Sequence, residues 1–128
     1  MTSKAFLTVA AALLLGQVTS AHHSWAGFST DPITVEGRIE EVKIANPHVT
    51  IQVRGDDEQR YMVVWQALPA LARRGFNVDG PGGLKDLLKP GDRIKVRGTV
   101  KRTEVSVEMG PMEMDVAAHG RIWPRNWK

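Results

Sequence analysis

Apolar and polar residues alternate with a period of two in five segments of the chain. This alternation is typical of a β-strand with one face on a hydrophobic core and the other in solvent. The segments span residues 33–40, 49–53, 61–65, 94–100 and 105–116. Gly110-Pro111 interrupts the last segment, and Gly37 within the first predicts a bulge or a sharp coil, because glycine weakens regular strand pairing. The pattern therefore predicts a mainly β protein.

The period changes between the third and the fourth segment. Leu68, Leu71 and Ala72 recur at helical spacing, Gly75 is suited to end a helix, and residues 84–88 predict another helical turn. The predicted order is three strands, a helix and two strands, which is the connectivity of the OB fold. We therefore expect a small five-stranded OB-like barrel with a short helix between strands 3 and 4.

The beginning of the chain has the pattern of an export signal. Lys4 supplies a positive charge, residues 5–15 form an apolar stretch, and Thr19 and Ala21 are small residues that signal peptidase accepts. That stretch is shorter than the roughly 20 residues of a transmembrane helix, and no later stretch approaches this length. We expect an exported protein, periplasmic or secreted, with no membrane span in its mature form. The predicted divisions are a signal peptide over 1–21, an N-terminal arm over 22–32, and the barrel domain with its C-terminal tail over 33–128.

Composition narrows the range of partners. Removal of residues 1–21 leaves 107 of the 128 residues, with 16 Lys+Arg against 14 Asp+Glu and hence a formal charge of +2. This balance, without a basic stripe, argues against nucleic acid as a partner. We expect a monomer whose physiological partner is unknown. The chain contains no cysteine, which excludes disulfides and thiolate metal sites.

Several short motifs occur in the same order as in a known family. They are Ala21-His22-His23-Ser24, Asn46-Pro47-His48, Trp65, the helix around Pro69 to Gly75, and Leu87 with Lys89-Pro90-Gly91-Asp92. With these motifs, nearly the whole mature chain resembles a family of small exported bacterial proteins described as domain of unknown function 6152. The resemblance implies export and a small β-barrel, and it implies no particular activity.

Two adjacent histidines at the predicted cleavage point are candidate copper ligands. Cleavage after Ala21 makes His22 the N-terminal residue, whose α-amine and imidazole can chelate one Cu(II) ion. Cleavage after Ser20 instead places His23 third, where its imidazole joins the amine and two deprotonated amides in a square-planar site. The alternative is a mobile arm that binds adventitious metal.

His48 is a candidate third ligand for the same metal. It follows Pro47, whose ring breaks a strand, so its imidazole is expected at the rim of the barrel. The alternative is that Asn46-Pro47-His48 turns the chain and that His48 caps a backbone group. The sequence leaves both interpretations open.

Three methionines near the end of the chain are candidate ligands for a soft metal. Met109, Met112 and Met114 bring three thioethers into six residues, and thioether sulfur prefers Cu(I) or Ag(I). However, Met112, Met114 and Val116 share one parity of the predicted fifth strand. The alternative is therefore that these methionines fill the core.

The chain has four tryptophans, which is many for a small domain. Trp65 ends an apolar strand and is expected in the core, whereas Trp25, Trp123 and Trp127 are candidate contacts for a ligand or a partner. We see no catalytic arrangement of residues. The leading hypothesis is an exported non-enzymatic protein that binds copper. The alternatives are an OB-type module that binds a small ligand or a protein without metal, and a copper oxidase or oxygenase built on the N-terminal chelate.

Overall fold

The computed structural model describes residues 31–101, 104–106 and 113–124. Seven strands and two short helices lie in these ranges. The strands are β1 (Ile33–Lys43), β2 (Thr50–Gly55), β3 (Arg60–Val64), β4 (Arg93–Lys101), β5 (Glu104–Ser106), β6 (Glu113–Val116) and β7 (Gly120–Trp123), and the helices α1 (Leu68–Arg73) and α2 (Leu84–Leu87) connect β3 to β4. The predicted signal peptide lies outside the described residues, as do His22, His23, Trp25, Met109, Met112 and Trp127.

The alternating pattern predicts the buried faces of the strands correctly. In β1, Val35 and Ile39 are buried, whereas Glu36, Arg38 and Glu40 are exposed. The apolar residues of the same parity in the other strands have no exposed surface: Ile51, Val53, Val63, Val96, Val105, Met114 and Val116. The prediction of a mainly β protein is therefore confirmed.

All described strands belong to one sheet. Its order is β1-β2-β3-β5-β4-β6-β7, and β1 pairs in addition with β4. Neighbouring strands run antiparallel except β3 and β5, which are parallel. The prediction of a five-stranded barrel is therefore wrong, because the described residues form a seven-stranded sheet that continues beyond β4. A short helix between the third and fourth strands is present as α1, and α2 follows it.

The extra strands arise after β4. The predicted fifth strand is divided into β5 and β6, which take successive positions along β4: Ser106 lies opposite Thr99, and Glu113 lies opposite Arg97. The two β4 residues are two positions apart, whereas Ser106 and Glu113 are seven apart. The chain between β5 and β6 is therefore five residues longer than a continuous ladder requires. A turn then leads to β7, which begins at Gly120 with a φ of 75° that suits glycine.

Gly37 is required by a close approach of two strands. A Cβ atom at this position would overlap the main-chain carbonyl of Arg54 on β2. The bulge in β1 lies further along, where the pairing shifts between Ile39 and Glu41. The bulge is therefore not at Gly37, which instead lies where β1 pairs with both β2 and β4.

The helical segment covers part of the buried face of the sheet. Its apolar residues Leu71, Phe76, Leu84, Leu87 and Leu88 belong to the same buried cluster as the strand residues. This packing positions the residues that follow α1 against the end of β3. In the part of the chain that the structure describes, neither helix has the length and apolar character needed to cross a membrane.

Candidate functional site

His48 lies in the segment between β1 and β2. Its side chain is partly buried, and its Nδ1 atom lies 3.0 Å from the main-chain carbonyl oxygen of Trp65. A carbonyl oxygen only accepts, so the His48 ring donates its Nδ1 proton in this bond. In a neutral imidazole the lone pair is then on Nε2, which is the nitrogen suited to bind a metal. His48 therefore caps a backbone group, and the same bond also gives its ring the tautomer of a metal ligand.

The main chain beside His48 is bonded directly to the main chain of Trp65. The Trp65 N–H donates to the carbonyl of Val49 at 2.8 Å, and the Val49 N–H donates to the carbonyl of Gln66 at 3.2 Å. Neither bond uses the Trp65 carbonyl, which accepts from the His48 ring instead. The imidazole and its acceptor are therefore held on one hydrogen-bonded unit that extends the pairing of β2 with β3.

Three buried aromatic residues, Trp65, Phe76 and Trp123, form what we call the aromatic triad. Trp65 meets Phe76 at a centroid distance of 5.2 Å and Trp123 at 5.7 Å, both edge to face. Such pairs contribute about 0.5–1.5 kcal/mol each beyond their burial. The guanidinium of Arg74 lies 5.4 Å from the centroid of the Trp123 ring, where it adds a cation–π contact.

The exposed fractions of Trp65 and Trp123 bear on the predictions made for these two tryptophans. Trp65 has no exposed surface, as its position in the sequence predicts. Trp123 is only 7% exposed, so its indole packs in the core and presents little surface to a ligand or a partner. Phe76 was not recognised as a site residue, because it follows the end of α1 and belongs to no periodic pattern.

Within the described residues, the indole of Trp65 is held by packing against other rings. Among the described residues its buried Nε1 has no acceptor. An unsatisfied buried donor costs about 1–3 kcal/mol. The burial of the indole and its ring contacts in the triad contribute free energy in the opposite direction.

His119 makes a similar hydrogen bond with the opposite nitrogen. Its Nε2 lies 3.0 Å from the main-chain carbonyl oxygen of Asp86 in α2, at an exposed position. The ring therefore donates its Nε2 proton, and the lone pair of the neutral form is on Nδ1. The N–H of Gly82, followed by Lys89, lowers the pKa of the Asp86 carboxyl below its ordinary value, and His119 adds a small contribution in the same direction.

The donors available for a metal within the described ranges are few. No group of three or more His, Cys, Asp or Glu residues there is arranged to hold a metal ion. Met114, one of the candidate thioether ligands, is fully buried among the strand residues of the core. The other candidate nitrogen ligands, His22 and His23, lie beyond these ranges.

A comparison with protein families identifies the chain. The model of a family of unknown function, DUF6152, matches residues 11–109, which is more than half of the chain. The chain belongs to DUF6152. No curated protein sequence matches it at a significant level.

Of the two histidines in the described residues, the DUF6152 match includes His48 and does not include His119. It includes His48, Trp65 and Phe76, together with the paired histidines at the predicted mature terminus. It ends before β6 and β7, so His119 and Trp123 lie beyond it. In this DUF6152 protein the aromatic triad thus combines two residues of the matched region with one residue from the end of the chain.

Two of the contacts on the outside of this DUF6152 protein involve the turn between β2 and β3. Arg93 donates two hydrogen bonds, at 2.8 and 2.7 Å, to the Asp56 carboxylate between β2 and β3. These bonds lower the pKa of Asp56 and raise that of Arg93. The Tyr61 hydroxyl donates to Asp57 at 2.5 Å, and this bond raises the pKa of the phenol. These contacts join β4 and β3 to the same turn, and we assign them a structural role.

Proposed function

We propose that this DUF6152 protein is exported, to the periplasm or outside the cell, and acts as a non-enzymatic protein that binds one Cu(II) ion. The ligands are His22 and His23 at the mature N-terminus, with His48 as the third. The observation that carries the proposal is the hydrogen bond from His48 Nδ1 to the Trp65 carbonyl. Metal-binding histidines characteristically donate their second ring N–H to a carbonyl or carboxylate, which orients the ring and raises its basicity.

The length of the chain permits the terminal histidines to reach His48. The chain advances by eleven residue positions from His22 to Ile33, the first residue of β1. An extended segment of that length spans up to about 36–40 Å. β1 itself has 11 residues, or about 36 Å at roughly 3.3 Å per residue. His48 lies near the far end of β1, because Thr50 pairs with Lys43 there. An arm that runs back along β1 would therefore meet His48.

The donor atoms favour Cu(II). Imidazole nitrogens and a terminal amine suit this ion, and its tetragonal geometry accepts them in one plane. Thioether ligands would favour Cu(I) or Ag(I) instead, and Met109, Met112 and Met114 remain the candidates for that chemistry. The burial of Met114 supports nitrogen over sulfur as the principal donor.

The first experiment is the intact mass of the natively exported protein with and without one equivalent of Cu(II). We expect a mass that begins at His22 or Ala21 and a single tightly bound ion. The double variant His22→Ala/His23→Ala should lose tight binding, and His48→Ala should weaken it. His119→Ala is the matched control and should bind copper as the wild type does. Weak binding at several sites, unchanged in the double variant, would contradict the proposal. Oxygen consumption with ascorbate would indicate an oxidase instead.

A second candidate is an OB-like module that binds a small ligand or a protein without metal. Its support is the pairing of β1 with β4 and of β3 with β5, which resembles the arrangement of an OB fold. A shallow concavity of about 80 Å³ also lies on the outer side of β1, β2 and β3, and it is lined by Glu41, Lys43, Thr50, Gln52 and Met62. Met62 is 36% exposed there. A ligand that quenches tryptophan fluorescence in the metal-free protein, and whose effect Met62→Ala abolishes, would favour this function.

A further inference from the structure

We infer that a hollow between the end of β1 and α2, which we call the α2 hollow, binds a medium-chain fatty-acid anion, with the alkyl chain on an apolar floor and the carboxylate beside two lysines. The hollow has a volume of about 400 Å³ and is lined by Val42, Ile44, Lys85, Leu88, Lys89 and Pro90. This volume is in the range of about 300–1,000 Å³ that is typical of small-molecule sites. Every lining residue lies in the part of the chain that the structure describes, and the copper site proposed above is not involved.

The floor of the α2 hollow is an opening onto the hydrophobic core. Val42 lies opposite the fully buried Ile51 of β2, so its side chain is on the buried face of the sheet. Val42 and Ile44 are half-buried and pack against the core cluster, to which Leu88 belongs. An alkyl chain in the hollow would therefore remove apolar surface of Val42 and Ile44 from water, which is favourable in proportion to the area buried.

The charges at the α2 hollow are of one sign. Lys85 and Lys89 line it, and none of its described lining residues is acidic. Lys85 pairs with Asp79 at 2.7 Å and Lys89 with Asp86 at 3.4 Å, but such exposed pairs contribute little to stability. An ammonium group has three N–H donors, so each lysine can also bind a ligand carboxylate. Asp86 in addition accepts a hydrogen bond from the Gly82 N–H at 2.9 Å, which it keeps if Lys89 turns to a ligand.

Two other hollows formed by described residues have a different chemistry. One, of about 280 Å³, is lined by two basic and two acidic side chains. Another, of about 330 Å³, is lined by three acidic side chains and, among the described residues, by no basic one. The α2 hollow differs from both, because it combines an apolar floor with positive charge. This combination is complementary to an anionic amphiphile.

The apolar floor favours an alkyl chain over a peptide. The side chains of Val42, Ile44, Leu88 and Pro90 have no hydrogen-bonding group. A peptide main chain on this floor would lose hydrogen bonds to water that these side chains cannot replace, and each such loss costs free energy. An alkyl chain has no polar group to desolvate, and its single carboxylate can remain at the exposed lysines.

The first test is an NMR titration of the metal-free protein at pH 7.5 with decanoate, octanoate, decanol and decyltrimethylammonium, each below its micelle or solubility limit. A fully buried methylene strengthens binding about fourfold, and decanoate has two more than octanoate. Because the hollow is open to solvent on one side, we expect decanoate to bind about 5–15 times more tightly than octanoate. Decanol, which has no charge, should bind about two- to fivefold more weakly than decanoate. The cationic probe should bind more weakly still.

The same titration tests where the probe binds. Decanoate should shift the methyl signals of Val42, Ile44 and Leu88. The methyl signals of Ile94 and Val116, which line the hollow of mixed charge, are the internal control and should not move. This comparison requires no substitution, so it does not depend on the stability of a variant.

The second test is the affinity of lysine variants for decanoate. Lys85→Gln and Lys89→Gln should each weaken binding about two- to fivefold. Lys95→Gln is the matched control, because the side chain of Lys95 is 57% exposed against 58% for Lys89 and each lies 3.4 Å from a carboxylate. Decanol should bind all three variants as it binds the wild type.

The absence of saturable decanoate binding, equal affinity for decyltrimethylammonium, or methyl shifts at Ile94 and Val116 alone would overturn the inference. A loss for Lys95→Gln as large as that for Lys89→Gln would overturn it too. Shifts of Val42 and Ile44 that depend on protein concentration without any probe would show that a second copy of the chain covers the hollow instead, which also overturns it. A protein that binds decanoate but no copper would overturn the proposed function alone, and the reverse result would overturn this inference alone.

Discussion

The regions around His48 and His119 make the same kind of hydrogen bond in different surroundings. Each imidazole donates to a main-chain carbonyl at 3.0 Å. The acceptor of His48 belongs to Trp65, which is fully buried, whereas the acceptor of His119 belongs to the half-buried Asp86 of α2, in a hydrogen bond that is exposed to solvent. One bond is therefore connected to the core of the protein, and the other joins two surface elements.

This difference shows why the effect of substituting a histidine cannot be predicted from the residue type alone. In the His48 region, the carbonyl is held between strand pairing and the aromatic triad, so the ring orientation is determined by structure that costs free energy to disturb. In the His119 region, water can replace the ring as the donor to the Asp86 carbonyl. We therefore expect substitutions near His48 to have larger effects than matched substitutions near His119.

The largest expected effect is that of Trp65→Ala. The substitution removes both edge-to-face contacts and leaves a cavity among buried residues, so we expect a loss of about 3–5 kcal/mol in the free energy of unfolding. Chemical denaturation of the protein measures this loss. Trp65→Phe should lose clearly less, because it keeps a ring and removes the unsatisfied indole N–H. Equal losses in the two variants would show that the triad does not anchor this region.

A smaller effect should distinguish the two histidines themselves. His48→Ala leaves the Trp65 carbonyl without its donor in a partly buried position, so we expect a loss of about 1–3 kcal/mol. His119→Ala should stay within about 0.5 kcal/mol, as is usual for an exposed site. Urea denaturation of the two metal-free variants under the same conditions provides the comparison. A loss for His119→Ala as large as that for His48→Ala would remove the distinction between the two regions.

The smallest effect concerns the acid stability of the His119 region. The pKa of Asp86 is lowered in the folded state, mainly by the Gly82 N–H, so the unfolded chain binds the proton more readily. The stabilisation is present above the ordinary carboxyl value of 3.8 and is lost as the pH falls below it. Asp86→Asn should therefore show a shallower decrease in melting temperature in this acid range than the wild type. His119→Ala should change that decrease only slightly, since His119 makes the smallest contribution to the lowered pKa of Asp86. An unchanged acid profile for Asp86→Asn would show that the carboxylate makes no such contribution.

Several features of the fold were predicted from local pattern. The alternation in β1 and β2, the helix after Trp65 and the burial of Trp65 itself all depend on residues close together in the chain. The predicted fifth strand shows the limit of this reasoning. Its parity placed Met114 and Val116 on the buried face correctly. Its continuity was wrong, because the pairing with β4 skips five residues between Ser106 and Glu113.

The candidate site was predicted in part. The turn at Asn46-Pro47 marked His48 as a candidate, and the paired histidines remain candidates at the predicted mature terminus. The role of Phe76 could not be predicted, because α1 lies between it and Trp65 in the sequence and only the folded chain brings the two rings together. The burial of Trp123 was missed for the same reason. Its partner Trp65 is separated from it by most of the domain in sequence.

The sequence by itself determined the strand periods, the absence of cysteine chemistry and membership of DUF6152, because each of these depends on composition or on short ordered motifs. The export signal stays a prediction. Only the tertiary structure decided which nitrogen of His48 carries the proton, how β1 comes to pair with both β2 and β4, and which aromatic rings surround Trp65. The physical reason is the range of the interactions. Period and charge are local properties of the chain, whereas a ring tautomer depends on an acceptor that the fold brings from 17 residues away.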